Sequence, residues 1–142
     1  FKEFHPSGSL GAKLKTVEDL MISGSKIPFV NESLSMEKAL KLISKKKLGM
    51  LIAINKKKST TGIITDGQIR RSAQKNNNLK ELPVKKIMTK NPISVDKNML
   101  AVKSLAIMSE NKITSLCVHE KNRTKKTIGV LHIHNILDGN IS

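Results

Sequence analysis

The apolar positions of the chain follow two spacings in alternation. Between residues 36 and 43 they recur at intervals of three and four, which predicts a helix with one buried face, and Ser33 or Ser35 is its expected N-cap. The runs MLIAI (50–54) and TGIIT (61–65) are short and rich in strand-forming residues, and a lysine-rich stretch separates them. This pattern predicts a β-hairpin.

The same plan is present twice. Gly129 lies 67 residues after Gly62, and two pairs of segments share that offset, while a third pair is offset by 65 residues. The corresponding segments are VEDLM (17–21) with VKKIM (84–88), TGIITDGQI (61–69) with IGVLHIHNI (128–136), and 36–54 with 101–118. Agreement of three registers to within two residues indicates an internal duplication.

Each copy is predicted to be a βαββα unit. It opens with a helical turn that ends at Met21 or Met88, and its last helix begins after Thr65 or His132. A unit of about 60 residues buries little core alone. We therefore expect a mixed α/β (α+β) fold in which the copies stack through their sheets with pseudo-two-fold symmetry. The expected division is a linker over 1–14, repeat 1 over 15–78 and repeat 2 over 79–142.

Composition adds a strong excess of positive charge. The chain has 26 Lys+Arg against 11 Asp+Glu, a formal net charge of +15, which favours anionic partners such as phosphates and nucleotides. Nearly all the excess is scattered lysine, which is also typical of a compositional bias. The chain has three Phe and no Tyr or Trp, so it lacks the stacking side chains typical of single-stranded nucleic-acid binders. We expect no nucleic-acid partner.

The remaining totals point to an ordinary cytoplasmic domain. No apolar run approaches the length of a membrane span and no signal peptide is evident, so we expect a soluble, cytoplasmic chain without a membrane partner. The single cysteine, Cys117, excludes an internal disulfide. Since it lies in the apolar run SLCV, a buried core position is expected.

The stretch GIITDGQIRRSA (62–73) is the strongest candidate for chemistry. Arg70 and Arg71 fall in what should be the first turn of a helix, where the helix dipole disfavours cations by about 0.3–1 kcal/mol each. Either the two side chains are simply solvated, or an anion comes to meet them. Paired guanidinium groups suit phosphate and carboxylate.

A second candidate is the pair His132 and His134, which stand two apart on a predicted strand end and so point the same way. A zinc site needs three or four ligands, and only Asp138 and His119 are candidates to complete one. A structural or ligand-rim role is favoured, and no metal is predicted.

The repeated unit, with a proline after the first helical turn and an ending of the form Gly-apolar-apolar-Thr-x-x-polar, resembles a tandem pair of CBS domains, or Bateman module. The sequences of the segments KLGMLIAI, GIITDGQIRR and GVLHIHNIL further resemble the C-terminal half of D-arabinose 5-phosphate isomerases that join a sugar isomerase domain to a CBS pair. FHPSGSLGAKL (4–14) is similar to the end of that isomerase domain. By this resemblance His5 matches an isomerase active-site histidine, but its catalytic partners are missing, so no isomerase activity is expected of the chain itself.

The resemblance implies ligand clefts at the repeat ends, and usually adenine nucleotides as ligands. Together with the arginine and histidine pairs described above, it gives these candidate ligand-binding positions: Pro28, Thr65, Asp66, Gln68, Arg70, Arg71, Pro92, Thr114, His132, His134 and Asn135. It also implies a homodimer formed through CBS pairs, contact with the isomerase domain and no cofactor.

The chain departs from the family pattern at the position of the ribose-binding aspartate. Gln68 and Asn135 stand there, and His132 replaces the second threonine. A neutral amide lacks the charged acceptor that grips a cis-diol. Thr65 and Gln68 also fit a capping box. A nucleotide or nucleotide-sugar effector such as CMP-Kdo, from the pathway to 3-deoxy-D-manno-octulosonate (Kdo) and lipopolysaccharide, is therefore expected. The alternatives are adenine-nucleotide sensing and a purely structural module without ligand.

Overall fold

The computed structural model describes residues 14–46 and 49–138, which fall into two compact units. One unit is a single stretch, Ile27–Pro92, and is called the continuous unit. The other combines the residues up to Lys26 with those from Ile93 onward and is called the split unit.

The described elements alternate between short strands and helices along the chain. The helices are α1 (Val17–Leu20), α2 (Met36–Lys46), α3 (Asp66–Lys75), α4 (Val84–Ile87), α5 (Ala101–Asn111) and α6 (Ile133–Asp138), with 3-10 turns at Gly24–Lys26 and Leu79–Glu81. The strands are β1 (Ile22–Ser23), β2 (Phe29–Asn31), β3 (Met50–Ile54), β4 (Thr60–Thr65), β5 (Thr89–Lys90), β6 (Ser94–Asp96), β7 (Ser115–His119) and β8 (Gly129–His132).

The two units contain sheets of the same design. In the continuous unit the strand order is β2-β3-β4-β5, with β2 parallel to β3 and the other pairs antiparallel. In the split unit the order β6-β7-β8-β1 repeats this pattern, with β6 parallel to β7. The predicted mixed fold, the hairpins and the internal duplication are confirmed.

The outer antiparallel strand of each sheet follows a short helical turn, and in the split unit it lies far in the sequence from the other three strands. β5 follows α4 and pairs with β4, while β1 follows α1 and pairs with β8. Backbone bonds also hold α1 in the split unit, since the Val17 N–H donates to the Met99 carbonyl at 2.8 Å.

A glycine in each sheet makes room for a methionine. A Cβ built on Gly62 would lie 2.6 Å from Met88 Cγ, and one built on Gly129 would lie 3.0 Å from Met21 Cγ. Gly62 and Gly129, which correspond in the sequence, therefore also pack against corresponding methionines in the structure.

Each unit has its own apolar core between its sheet and its helices. The fully buried members share a place on the helix-facing side of the strands or the inward side of the helices. In the continuous unit the largest of them are Met36, Leu51, Ile64 and Val84, and in the split unit Val17, Met108, Leu116, Val118, Leu131 and Ile136.

Local signals at the ends of elements are largely confirmed. Ser35 caps α2, since its Oγ accepts the Lys38 N–H at 3.3 Å, whereas the Ser33 N–H turns back to Asn31 Oδ1.

Cys117 is buried as expected, and burial raises the pKa of its thiol to about 11. A neutral thiol with so high a pKa is not a nucleophile at neutral pH.

Candidate ligand site

In the continuous unit, the candidate residues gather at the sheet edge where β2 and β3 begin and β4 ends. The Pro28 carbonyl accepts the Ile52 N–H at 2.9 Å, which fixes the start of β2 beside β3. The Asp66 N–H donates to the Gly49 carbonyl at 3.0 Å, which ties the start of α3 to the residue just before β3. Pro28, Thr65 and Asp66 therefore lie on one edge, and Asp66 is exposed there.

Thr65 is the N-cap of α3, as expected. Its Oγ1 accepts the Gln68 N–H at 3.3 Å. The predicted capping box is wrong in its second half, because the Gln68 amide nitrogen donates to the Ile87 carbonyl at the end of α4. The Gln68 side chain is long enough to extend past the start of its own helix and reach that carbonyl.

The predicted start of this helix after Thr65 is confirmed, but the prediction that Arg70 and Arg71 occupy its first turn is wrong, because a helix that begins at Asp66 has them in its second turn. The Arg71 side chain nevertheless returns to the helix start. A Cβ built on Gly67 would lie 3.3 Å from Arg71 Nη1, so this glycine gives the guanidinium access to the first turn. Long helical side chains lean toward the N-terminus in this way.

Both arginines are exposed, and neither forms an ion pair with any carboxylate of the described residues. The ion pairs of that part of the chain join Lys97 to Glu18 and Glu120. Two guanidinium groups without carboxylate partners on one short helix therefore add to the positive field at the helix start.

The split unit repeats this edge with different side chains. The Ile133 N–H donates to the Thr114 carbonyl at 2.8 Å, the counterpart of the bond between Asp66 and Gly49. Thr114 is exposed. Pro92 is half-buried and directly precedes Ile93, whose carbonyl accepts the Cys117 N–H at 3.0 Å.

A histidine takes the place of threonine as the cap of α6. His132 Nδ1 accepts the His134 N–H at 3.1 Å, and Asn135 Oδ1 accepts the His132 N–H at 2.9 Å. The two bonds form a reciprocal cap in which imidazole replaces the hydroxyl. A ring nitrogen that accepts a backbone N–H is unprotonated, so the cap requires a neutral His132.

The expected proximity of His132 and His134 is confirmed, although His134 lies in α6 and not on a strand end. The rings stack with centroids 4.8 Å apart. Burial, and then the neighbouring His134, lower the pKa of His132 below its usual 6.5. Both causes favour the neutral form that the cap needs.

We expect the titration of His132 to make the folded chain less stable as the pH falls. Because the folded pKa is the lower one, the unfolded chain binds the proton first as the pH drops below 6.5. The contribution of His132 is thus complete above that value and is lost as the pH falls through the folded pKa. Urea unfolding midpoints measured on either side of 6.5 check this.

The matched variants separate the cap from other titrating groups. His132→Thr copies the Thr65 cap and should flatten the pH dependence over this range, whereas His134→Gln retains the capping N–H and the larger part of the dependence, which comes from burial. An undiminished pH dependence in His132→Thr would contradict the assignment.

The remaining histidine among these candidates, His119, has a structural position. It is buried at the end of β7, and its Nδ1 lies 2.7 Å from Ser94 Oγ. Within the described ranges, no group of three or more His, Cys, Asp or Glu side chains is arranged to hold a metal ion. His5 lies outside the described residues. No helix in the described part of the chain is both long and apolar enough to cross a membrane.

Sequence reasoning missed two features of this edge. Gly49, at φ +70°, adopts a left-handed conformation that favours glycine and places its carbonyl under Asp66. The spacing of Gly49 before a β-branched run was the available signal. The bond from Gln68 to Ile87 joins residues 19 apart, and no local pattern predicts it.

Comparison with known proteins agrees with the geometry. The CBS domain model matches residues 17–75 and 84–140. The chain is 35% identical over its whole length to the uncharacterized protein RP505 of Rickettsia prowazekii, spanning 43% of that protein. It is 37% identical over 134 residues to the arabinose 5-phosphate isomerase KdsD of Salmonella typhi, covering 94% of the chain and 40% of the relative. The chain thus spans about two fifths of these relatives, in the C-terminal region of KdsD.

Solved structures show the same fold over nearly the whole chain. CBSX2, solved in complex with AMP, superposes with a TM-score of 0.75 at 24% identity, covering 89% of this chain and 96% of that one. The CBS domain pair of MJ0100, solved with 5'-methylthioadenosine and S-adenosyl-L-methionine, gives a TM-score of 0.78 at 20% identity, covering 91% and 99%. Two copies of one sheet design, two matched segments and these neighbours lead to one conclusion: the chain belongs to the CBS-domain family and is a tandem CBS pair.

Proposed function

We propose that the chain is the cytoplasmic regulatory module of an arabinose-5-phosphate isomerase and binds a phosphorylated nucleotide or nucleotide-sugar effector such as CMP-Kdo. The observation that carries the proposal is the pair of exposed arginines beside the start of α3, which lack carboxylate partners among the described residues. An effector with a phosphate and a carboxylate offers two anionic groups to two guanidinium groups.

The link to the isomerase rests on the similarity to KdsD, whose matched region is about two fifths of its length. Movement of a proton between C1 and C2 of an aldose phosphate needs a positioned acid–base pair. Among the described residues the histidines instead cap α6, stack on that cap or bond to Ser94. Catalysis is therefore assigned to the sugar isomerase domain, with this module as its sensor.

Adenine-nucleotide sensing is the second candidate, favoured by the AMP complex of CBSX2. Against it, the two amides at the positions of the ribose-binding aspartate already hold protein groups. Gln68 donates to Ile87 and Asn135 accepts from His132. An amide so engaged offers a ribose diol at most one neutral acceptor, whereas an aspartate offers two charged carboxylate oxygens. This difference favours an effector that is recognised mainly through its anionic groups.

The module is also proposed to form a homodimer. The outer face of α5 carries exposed Val102 and Ala106, where the equivalent positions of α2 carry Glu37 and Lys41. Leu137 on α6 adds a side chain that is 42% exposed. Two copies with a net charge of +15 each meet most favourably on a face with few cations. A dimer without ligand is the structural alternative, and sedimentation of the chain with and without effector distinguishes the two.

Thermal-shift titration with CMP-Kdo, AMP, ATP and arabinose 5-phosphate tests the ligand. We expect a concentration-dependent rise in melting temperature with CMP-Kdo, because a ligand that binds only the folded state stabilises it. A larger response to AMP or ATP would favour the adenine alternative. A flat response to all four would remove the sensing function and leave the structural module.

The arginine pair gives a sharper prediction. Arg70→Gln and Arg71→Gln should each weaken effector binding about 10- to 100-fold, because a hydrogen bond to a charged group contributes about 1.5–3 kcal/mol. Isothermal titration calorimetry measures the loss.

The control is Lys75→Gln, which removes one positive charge from the last turn of the same helix. It should change affinity less than twofold, since exposed charges more than about 10 Å apart are screened at ordinary ionic strength. Equal losses in all three variants would mean that net charge alone attracts the effector.

A further inference from the structure

The segment Val84–Lys90, which contains α4 and β5, is a short addition to the continuous unit. The Val84 N–H donates to the Leu34 carbonyl at 2.7 Å, and the Lys85 N–H donates to the Glu32 carbonyl at 2.8 Å. At its other end, β5 pairs with β4 through two residues only. A helix of one turn and a strand of two residues have little stability of their own, so each tie to the rest of the unit contributes strongly.

Gln68 supplies one of these ties. Its Nε2 donates to the carbonyl of Ile87, the last residue of α4. The last carbonyls of a helix have no partner within the helix, so the amide satisfies an acceptor that would otherwise need water. An ionised carboxylate could not form this bond, because it has no proton to donate.

The other end of the same amide is open. Among the described residues Gln68 Oε1 accepts no hydrogen bond, and no polar side-chain atom of those residues is both buried and unpartnered. Oε1 is therefore reachable by solvent, on a residue whose N–H is bonded to the Thr65 cap. It is the acceptor that a hydroxyl-bearing ligand would meet at the start of α3.

We propose that Gln68 couples ligand binding at the start of α3 to the α4–β5 segment. A ligand hydroxyl donates to Oε1 while Nε2 keeps its bond to the Ile87 carbonyl, so an occupied site holds the segment more firmly. Hydrogen bonds through one amide polarise each other in this sense. The inference rests on the proposed ligand-sensing function, and it explains why an amide replaces the aspartate that the family resemblance implies.

The split unit provides an internal control. Leu20 at the end of α1 corresponds to Ile87, and Asn135 corresponds to Gln68, with one methylene fewer. The Asn135 side chain bonds to the His132 N–H within its own helix start, so α1 lacks the equivalent tie. Coupling is therefore expected in the continuous unit alone.

The hold on Ile87 is tested without ligand by amide hydrogen exchange of the whole chain. Gln68→Asn and Gln68→Glu both lose the bond, so the Met88 N–H, which donates to the Val84 carbonyl, should exchange roughly three- to tenfold faster than in the unmodified chain. The Met21 N–H, which donates to Val17 in the split unit, should not change. Unaltered exchange at Met88 in both variants would overturn the proposal.

The coupling is tested with CMP and AMP as probes, each at a concentration that saturates its thermal shift. In the unmodified chain the probe should slow exchange at Met88. Gln68→Glu keeps an acceptor for the hydroxyl but has no donor for Ile87, so it should bind the probe without slowing that exchange.

Equal slowing in Gln68→Glu, or binding to the unmodified chain without any change at Met88, would overturn the coupling. Failure of both probes to bind would overturn the ligand-linked part of this inference, whereas the thermal shift with CMP-Kdo decides the proposed sensing function separately. Exchange in the free protein still decides the tie to Ile87 independently.

Discussion

Replacing Gly62 with alanine should destabilise the chain by about 1–3 kcal/mol, toward the upper end of that range. The added Cβ would lie 2.6 Å from Met88 Cγ and 2.9 Å from the Thr89 carbonyl oxygen. A methionine side chain can change rotamer, but the carbonyl belongs to β5, which is paired to the same strand. β4 and β5 must therefore separate locally. Urea denaturation followed by circular dichroism measures the loss.

The corresponding variant in the split unit is the matched comparison. Gly129→Ala meets the flexible end of Met21, Sδ included, much as Gly62→Ala meets Met88, but its backbone obstacle, the Ile22 carbonyl oxygen, lies farther away at 3.1 Å, so it should cost less than Gly62→Ala. Met88→Ala should partly rescue Gly62→Ala, with a favourable coupling energy in a double-mutant cycle. Additive losses in that cycle would show that Met88 is not the obstacle.

The second large effect is expected at Met36, the first residue of α2. Met36 is fully buried in the core of the continuous unit, so Met36→Ala should cost about 2–5 kcal/mol through lost burial and the cavity that remains. The equivalent position of α5 already holds Ala101, which is also fully buried. Ala101→Met should also destabilise the chain, by about 1–3 kcal/mol, but through overpacking and not through a cavity.

Lys41→Ala is the control, since Lys41 is exposed on the same helix as Met36 and its change should stay within about 0.5 kcal/mol. If Ala101→Met were neutral or stabilising, the core of the split unit would contain space for three more heavy atoms. That result would contradict close packing around α5. Unfolding curves for the three variants, measured under one set of conditions, decide the matter.

The sequence predicted most of the fold because its signals were local and were written twice. The period of the helix over 36–46, the paired β-branched runs and the caps at Ser35 and Thr65 each depend on neighbours a few residues away. The duplication then confirmed each assignment against a second copy. The equivalence of Met21 with Met88 was visible for the same reason.

The parts that could not be predicted depend on side-chain reach between distant segments. Gln68 and Asn135 align in the sequence, yet one methylene decides that the first holds Ile87 and the second caps its own helix. The start of α3 after Thr65 was predicted correctly, but counting from Asp66 places Arg70 and Arg71 in the second turn and not the first. The family resemblance predicted the sheet edge at which a ligand should bind. Only the structure showed that the Gln68 and Asn135 amides already form hydrogen bonds within the protein.

The division into one continuous and one split unit bears on the order in which the protein forms as it leaves the ribosome. All four strands of the continuous unit lie within Ile27–Pro92, so its sheet can close while the later residues are still being synthesised. The segment from Val17 to Ser23 emerges earlier but pairs with β8, which arrives more than a hundred residues afterwards. Through that interval its apolar side chains are without their native partners, so this nascent segment is the one that a chaperone would shield while the continuous unit folds.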